Sequence, residues 1–298
     1  MTVWLSSGAF AASDLPTLLR AAGEAGARAI ELASGFPDSD SLVADLDAAQ
    51  NDGMQLMVHN YAPAPRVPFT LNLASPDTES RARSLDFAER NLELCARLSA
   101  PFYAVHAGFA LDLPPEALGR PDLQASLFAE GQYDRAQAMD HMLIAVDRLA
   151  DRAKELGTKV LIENNVVAPE TLTGSPPGTT KRHPLLLADP EETEAFFAQL
   201  GRVEAGLLLD VAHAKVSGKA LAFDPAGFFE LKEDWLGALH LSDNDGISDY
   251  NGPIGPASWF WPYLADVHEL DMVIEVYRLN PAQASSQLAL VREAKRKA

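Results

Sequence analysis

The sequence of 298 residues has one cysteine, no long apolar run and few basic residues, and each of these shortages excludes a class of protein. Cys95 cannot form a disulfide within the chain, which is typical of a reducing compartment. No apolar run approaches the roughly 20 residues that cross a bilayer. The amino-terminal residues also lack the basic start and apolar stretch of a secretory signal. We therefore expect a cytoplasmic protein with no membrane partner.

Basic residues are scarce relative to acidic ones. The 24 Lys and Arg residues stand against 42 Asp and Glu residues, which gives a formal net charge of −18. Because nucleic-acid-binding proteins usually present a basic face, we expect no nucleic-acid partner. Hydrophobic residues make up 47% of the chain, which is enough for a large core. This charge is compatible with a small substrate that binds together with a cation.

The chain also lacks the G-x-G-x-x-G turn that an open doubly wound sheet would normally carry. Instead, short apolar runs alternate eight times with segments of 3.6-residue periodicity. Unbroken apolar runs such as GLLL suit strands that are covered on both faces, as in a parallel sheet. We predict an α/β fold in which residues 1–298 form a single (β/α)8 TIM barrel with long βα loops at its C-terminal face.

The alternation predicts the position of each strand and helix. The predicted strands are Val3–Ala9, Ala29–Ala33, Met54–Asn60, Pro101–His106, Lys159–Asn164, Gly206–Asp210, Leu236–Leu241 and Met272–Val276. The first predicted helix begins near Asp14, and the others are Ser41–Asn51, Ser80–Leu98, Ala138–Leu156, Pro190–Leu200, Pro225–Lys232, Ser258–His268 and Pro281–Lys297. The helical spacing around Cys95 predicts a buried thiol.

Metal-ligating or acid/base side chains stand at the ends of six predicted strands. They are His59, His106, Glu163, Asp210, His240 and Glu275. Because the carboxyl ends of barrel strands converge on one mouth, we expect these residues to meet there. A single histidine of this kind is often a hydrogen-bonded core residue, and a single carboxylate often caps a turn. Several carboxylates beside apolar strands need a counter-charge, so the joint pattern predicts a divalent metal ion.

Two residues in the loops that follow these strands are further candidates. His213 lies three residues after Asp210 and can reach the same mouth from the loop beyond the sixth strand. Asp249 lies in the seventh loop, where acidic residues usually form turns, and it ranks below the strand-end residues. We predict that His213, Asp249, His59 and His106 contact the substrate.

Four short motifs carry a resemblance to a known family. They are LIENN at the fifth strand, DVAH at the sixth, HLSD at the seventh and VIEV at the eighth. In this order they resemble the xylose-isomerase-like barrel superfamily, which contains sugar isomerases and epimerases, inosose dehydratases and zinc-dependent AP endonucleases. The resemblance implies that Glu163, Asp210, His240 and Glu275 bind a catalytic divalent cation, with His213 close to the substrate.

The amino-terminal half resembles the endonuclease branch of that superfamily. The segments VHNYAP and VHAG place His59 and His106 where histidines of that branch hold a further zinc ion. A third metal in that branch needs a D-x-H pattern in the seventh loop. This chain has Asp249-Tyr250-Asn251 instead, so an asparagine stands where the histidine is expected. This difference argues against a full three-metal phosphodiesterase site.

These observations favour a divalent-metal-dependent isomerase or epimerase that acts on a sugar, a sugar phosphate or a related polyol. In that hypothesis Glu163 and Glu275 transfer protons as base and acid. The alternatives are a metal-dependent phosphodiesterase of the AP-endonuclease type and a barrel that binds a small ligand without turnover. Mixed carboxylate and histidine ligands suit Mn, Zn, Mg or Co. His59 and His106 either hold a second ion or bind substrate.

Two further features of the sequence leave alternatives open. The loop Ala168–Asp189 suits a lid over the mouth, where Lys181 and Arg182 either meet an anionic group of the substrate or form an ordinary solvated basic patch. Barrels of this kind often associate, so a homo-oligomer is one of the states that the sequence leaves open.

Overall fold

The computed structural model describes residues 2–12, 14–33, 36, 38–172 and 183–297. Lys181 and Arg182, which the sequence suggested as part of a lid, lie outside these residues. Within the described residues, eight parallel strands form one sheet. The strands are β1 (Val3–Ser6), β2 (Ala29–Leu32), β3 (Gln55–Val58), β4 (Tyr103–His106), β5 (Val160–Glu163), β6 (Ala205–Asp210), β7 (Leu236–Leu241) and β8 (Asp271–Ile274).

The same part of the chain has eight α-helices. They are α1 (Leu15–Glu24), α2 (Leu42–Asn51), α3 (Thr78–Arg97), α4 (Pro121–Glu130), α5 (Arg135–Leu156), α6 (Pro190–Leu200), α7 (Val211–Leu221) and α8 (Pro281–Lys297). Aspartate side chains accept backbone N–H bonds at the starts of several of them, including Asp77 of α3 and Asp189 of α6. The predicted (β/α)8 TIM barrel is confirmed.

The barrel is nearly closed. Neighbouring strands pair in the order β3-β2-β1-β8-β7-β6-β5-β4, so the remaining seam lies between β3 and β4. A parallel bridge joins His59 to Ala104 across this seam. The backbone N–H of Asn60 also donates to the Ala104 carbonyl, at 2.8 Å. The seam is therefore closed at the C-terminal end of β3, beside one of the predicted site residues.

Two predicted helical regions were wrong, and helices α4 and α7 were missed. The sequence placed a helix at Pro225–Lys232 after the sixth strand, but α7 starts directly after Asp210, and Pro225–Glu230 form a 3-10 helix. The predicted helix Ser258–His268 is reduced to the 3-10 helix Trp261–Ala265, with i to i+3 hydrogen bonds around it. Helix α4 was missed, because its residues were assigned to a long loop.

The interior of the protein is apolar, as the strand patterns predicted. The apolar residues of the strands pack with the buried faces of the helices in one large core, in which Leu5, Ile30 and Leu209 are fully buried. Cys95 of α3 is also buried there, and burial raises the pKa of its thiol to about 12. No helix in the described part of the chain is long and apolar enough to cross a membrane.

The packing of the loops at the C-terminal face generates a prediction about Gly108. A Cβ atom added at Gly108 would lie 2.5 Å from the Cβ of Ala74 and 2.9 Å from its backbone nitrogen. The substitution Gly108→Ala must therefore displace the backbone of the preceding loop. We expect it to lower the free energy of unfolding by about 1–3 kcal/mol, the usual range for overpacking, in urea denaturation.

A glycine in α1 provides the matched control. A Cβ added at Gly23 meets no atom within 4 Å, and its φ is not positive. The substitution Gly23→Ala should therefore raise the free energy of unfolding by about 0.5–1 kcal/mol, because glycine is unfavourable in a helix. A stabilising effect of Gly108→Ala would contradict the described packing of the loops.

Candidate metal centre and active site

The predicted strand-end residues meet at the carboxyl ends of the strands. The parallel register places His106 opposite Glu163 and Asp210 opposite His240. The backbone N–H of Glu275 donates to the carbonyl of Leu241, so the residue after β8 lies beside the end of β7. Residues that are distant in sequence thus line one cavity mouth because their strands are neighbours in the barrel.

Four of these residues form a compact group of possible metal ligands. Each of Glu163, Asp210, His240 and Glu275 offers a donor atom, and these atoms all lie within 4.8 Å of one another. The Nδ1 atom of His240 is 3.2 Å from Glu275 Oε2 and 3.4 Å from Glu163 Oε1. Two buried atoms of the group, Asp210 Oδ2 and His240 Nδ1, have no hydrogen-bond partner. Buried polar atoms rarely go unpaired, so these residues fit a bound cation.

Asp210 also caps the helix that follows it. Its Oδ1 atom accepts the backbone N–H groups of Ala212 and His213 at 2.7 and 2.8 Å. This capping fixes the orientation of the carboxylate and leaves Oδ2 facing the other ligand candidates. The same contact explains why the sixth strand passes directly into α7, and it places His213 in the first turn of a helix rather than in the predicted loop.

A second group shares Glu163 with the first. Donor atoms of His59, His106 and Glu163 also lie within 4.8 Å of one another. Nε2 of His59 is 2.8 Å from Glu163 Oε2, and Nδ1 of His106 is 3.3 Å from the same oxygen. The His59 side chain is buried, whereas the His106 side chain is 30% exposed. The structure thus places both histidines of the sequence prediction beside Glu163.

His213 and Asp249 form a charged pair at the edge of the cluster. Nε2 of His213 is 3.1 Å from Asp249 Oδ2, and Nδ1 is 2.9 Å from the backbone carbonyl of Asn164. Both ring nitrogens therefore face acceptors, which requires an N–H on each when Asp249 is ionised. Burial lowers the pKa of His213, but the carboxylates of Asp210 and Asp249 outweigh burial and raise it well above 6.5.

Glu275 is held by two donors that the sequence did not identify as site residues. The amide of Asn251 donates to Oε2 at 3.3 Å, and the hydroxyl of Tyr277 donates to Oε1 at 2.9 Å. Asn251 has a φ of 49°, a left-handed conformation that asparagine tolerates better than most residues. Asn251, which stands in place of the expected D-x-H histidine, therefore hydrogen-bonds to Glu275.

The carboxylates at the mouth need positive charge to balance them. Among the described residues, no lysine or arginine forms an ion pair with the site carboxylates, which are Glu31, Glu163, Asp210, Asp249 and Glu275. Burial raises the pKa of Asp210 to about 7, and neighbouring carboxylates reinforce the shift. Burial lowers the pKa of His240, but Glu31 and Glu275 raise it well above 6.5. Protons on histidines therefore balance the carboxylates unless a metal ion replaces them.

Sequence reasoning missed two further residues of the site. Glu31 in β2 is fully buried, and its Oε1 lies 3.2 Å from Nε2 of His240. The strand-end pattern did not reveal it, because Glu31 is followed by two more apolar residues, Leu32 and Ala33. Asn164 follows Glu163 in the ENN segment and was assigned no role, although a polar pair directly after a buried strand was a usable signal.

Asn164 fixes the position of the sixth strand end. Its side-chain oxygen accepts the Asp210 N–H at 2.7 Å, and its side-chain nitrogen donates to the Asp210 carbonyl at 3.1 Å. We expect Asn164→Ala to remove both buried hydrogen bonds and to lower the free energy of unfolding by about 1–3 kcal/mol. Urea denaturation measures this change. Asn51→Ala, at the exposed carboxyl end of α2, serves as the control, and equal stability of the two variants would contradict the assignment.

Comparisons with known proteins agree with the barrel fold. The family model described as xylose isomerase-like TIM barrel matches residues 19–293. The structure of a D-tagatose 3-epimerase-like protein is 18% identical, with a TM-score of 0.71 and coverage of 100% of this chain and 98% of that chain. The IOLI protein, solved with a zinc atom, is 14% identical, with a TM-score of 0.68 and coverage of 100% and 99%.

One curated relative comes from the nuclease side of the superfamily. "Probable endonuclease 4" of a Sulfurihydrogenibium species is 25% identical over 170 residues, which are 56% of this chain and 48% of that protein. The chain thus spans about half the length of this relative. Since the family model covers nearly the whole chain, the protein belongs to the xylose isomerase-like TIM barrel family.

Proposed function

We propose that the protein is a divalent-metal-dependent isomerase or epimerase that acts on a small carbohydrate or related polyol. The observation that carries this proposal is the group of Glu163, Asp210, His240 and Glu275, in which two buried donor atoms lack hydrogen-bond partners. In the proposal these four side chains hold the ion. A bound divalent cation supplies polarisation of adjacent substrate oxygens, which makes a neighbouring C–H bond more acidic.

The two glutamates are suited to proton transfer. They come from β5 and from the end of β8, so a substrate at the mouth can lie between them. Burial raises the pKa of Glu275, but His240 holds it down at about 2, and the surrounding histidines hold the pKa of Glu163 well below its usual range. Both groups are therefore ionised at neutral pH, as a base that removes a proton from carbon must be. The glutamate that removes the proton from carbon then carries it, and the second glutamate returns a proton to carbon after it has taken one up from water.

The remaining polar groups fit the binding of a hydroxylated substrate. His213 has its Nδ1 on the Asn164 carbonyl and its Nε2 on Asp249, and in the proposal the Nε2–H donates, in place of Asp249, to a substrate oxygen that becomes negative during proton transfer. The ring of His106 is 30% exposed and can contact a substrate hydroxyl. A small sugar also fits the likeness to an epimerase-like structure. In this proposal His59, His106, His213 and Asp249 contact the substrate.

Replacement of the two glutamates tests the assigned chemistry. We expect Glu163→Gln and Glu275→Gln to reduce proton exchange by about 10²- to 10⁴-fold, because the amide cannot accept a proton from carbon. The measurement is deuterium incorporation from D2O into a panel of pentoses, hexoses, their phosphates and cyclitols, followed by NMR at saturating Mn²⁺ or Zn²⁺. Metal content is measured in each variant, since both residues are also proposed ligands.

Glu204→Gln is the matched control for these variants. Glu204 directly precedes β6, at the opposite end of the barrel, where it pairs with Arg202 and Lys154. This variant should exchange protons at the wild-type rate. A metal-loaded double variant, Glu163→Gln with Glu275→Gln, that retains the wild-type rate would contradict the proposal. Asp210→Asn should chiefly weaken metal retention.

Phosphodiester hydrolysis is the second candidate, and one observation favours it. His59, His106 and Glu163 form a second group that could hold an ion beside the first, as clustered-metal hydrolysis requires. The partial likeness to an endonuclease points in the same direction. Against it, Asn251 donates to Glu275 and offers no imidazole to the pair of His213 and Asp249. The net charge of −18 is also unfavourable for binding several phosphates.

Incision of an abasic DNA duplex separates the two candidates. We expect no cleavage by the Zn²⁺- or Mn²⁺-loaded protein in a gel assay at low salt, where binding of phosphates is strongest. Efficient cleavage that is lost in His59→Ala would establish the hydrolase and reject the isomerase. Binding of a sugar without exchange or cleavage would instead identify a ligand-binding barrel.

A further inference from the structure

Glu31 occupies an unusual place in the barrel. It lies in β2, paired with Ser6 of β1 and Met57 of β3, and its side chain is 1% exposed. A buried carboxyl group normally needs a hydrogen-bonding or charged partner. The ion-pair partner of Glu31 among the described residues is His240, which reaches it from β7 across the barrel interior.

The contact involves one nitrogen of the His240 ring. Nε2 lies 3.3 Å from Glu31 Oε2, with which it shares a hydrogen bond, and 3.2 Å from Oε1, which has no hydrogen-bond partner. The ring of His59 packs edge-on against the ring of His240, with centroids 4.9 Å apart and an interplanar angle of 73°. Glu31 and His59 together restrict rotation of the imidazole.

The opposite nitrogen of His240 faces the acidic cluster. Nδ1 has no hydrogen-bond partner and lies 3.2 Å from Glu275 and 3.4 Å from Glu163. A neutral imidazole has one N–H and one lone pair, and because the carboxylates that could share an ion with His240 lie on its Nδ1 side, the proton belongs on Nε2, toward Glu31. An N–H on Nε2 leaves the lone pair on Nδ1.

We propose that Glu31 is a positioning residue that holds His240 in its Nε2–H tautomer and so makes Nδ1 the metal-binding atom. This inference rests on the proposed metal site. A carboxylate behind a metal-binding histidine orients the ring and increases its basicity, and loss of such a partner typically weakens metal binding by about 10- to 100-fold. In this role Glu31 touches neither the metal nor the substrate.

Glu31 has a rival role as a ligand. Donor atoms of Glu31, His59 and His240 also lie within 4.8 Å of one another, so the group could in principle hold an ion of its own. That arrangement would use Nε2 of His240 as a ligand and would place the proton on Nδ1. The two roles therefore predict opposite protonation of the same ring, which makes them distinguishable.

The first experiment uses the wild-type protein loaded with Zn²⁺. Long-range 1H–15N NMR spectra of 15N-histidine-labelled protein report which nitrogen of His240 carries hydrogen and which binds zinc. The signals are assigned with His240→Gln. We expect zinc on Nδ1 and hydrogen on Nε2. Zinc on Nε2 would overturn the proposal, and this measurement does not depend on the folding of any Glu31 variant.

The second experiment measures the Zn²⁺ dissociation constant by competition with a chromophoric chelator. We expect Glu31→Gln to weaken zinc binding by about 10- to 100-fold, because the neutral amide is a poorer acceptor and does not select one tautomer. Glu31→Asp should also weaken it, since the shorter side chain moves the carboxylate away from Nε2. Glu204→Gln, a carboxyl-to-amide change at the other end of the barrel, should bind zinc as the wild type does.

The outcomes separate this inference from the proposed function. A merely structural Glu31 would lower the melting temperature of the metal-free protein and leave the zinc affinity of the folded protein unchanged, which would overturn the inference alone. Failure of the wild type to bind Zn²⁺ or Mn²⁺ would overturn both the inference and the metal-dependent function. Wild-type zinc affinity in Glu31→Gln, with zinc bound to the wild type, would overturn only the role of Glu31.

Discussion

The structure depends on the balance of charge at the mouth of the barrel. Several carboxylate and histidine side chains lie close together and buried at the ends of the strands. In the described part of the chain, no lysine or arginine forms an ion pair with these carboxylates. Burial of unpaired charge is costly, so protons or a metal ion must compensate it. The unpartnered Asp210 Oδ2 and His240 Nδ1 atoms show where a compensating cation fits.

The barrel is what makes this concentration of charge possible. Parallel register brings Asp210 beside His240, and His106 beside Glu163, although these residues are far apart in sequence. Local contacts then orient each side chain. Asp210 uses one oxygen as a helix cap, and Asn251 and Tyr277 hold both oxygens of Glu275. The barrel backbone thus brings the site side chains close together, and neighbouring polar groups fix their orientation.

The fold and most of the candidate site could be predicted from the sequence, because strand-end chemistry and apolar periodicity are local signals. Glu163 and Glu275 were found in this way. Glu31 was not, since its place beside the cluster depends on a contact across the barrel with His240, which no local pattern encodes. The start of α7 was missed for a related reason. The sequence pattern indicates that Asp210 ends a strand, and its second role as the cap of α7 is visible only in the structure.

The central claim is that this mouth holds a divalent cation between the ends of β5, β6, β7 and β8. Anomalous diffraction from crystals soaked in MnCl2 or ZnCl2 tests it most directly, because it gives both the position and the number of ions. The account predicts a strong peak within bonding distance of Glu163, Asp210, His240 and Glu275. The absence of a peak among these four side chains, in crystals that take up the ion elsewhere, would contradict it.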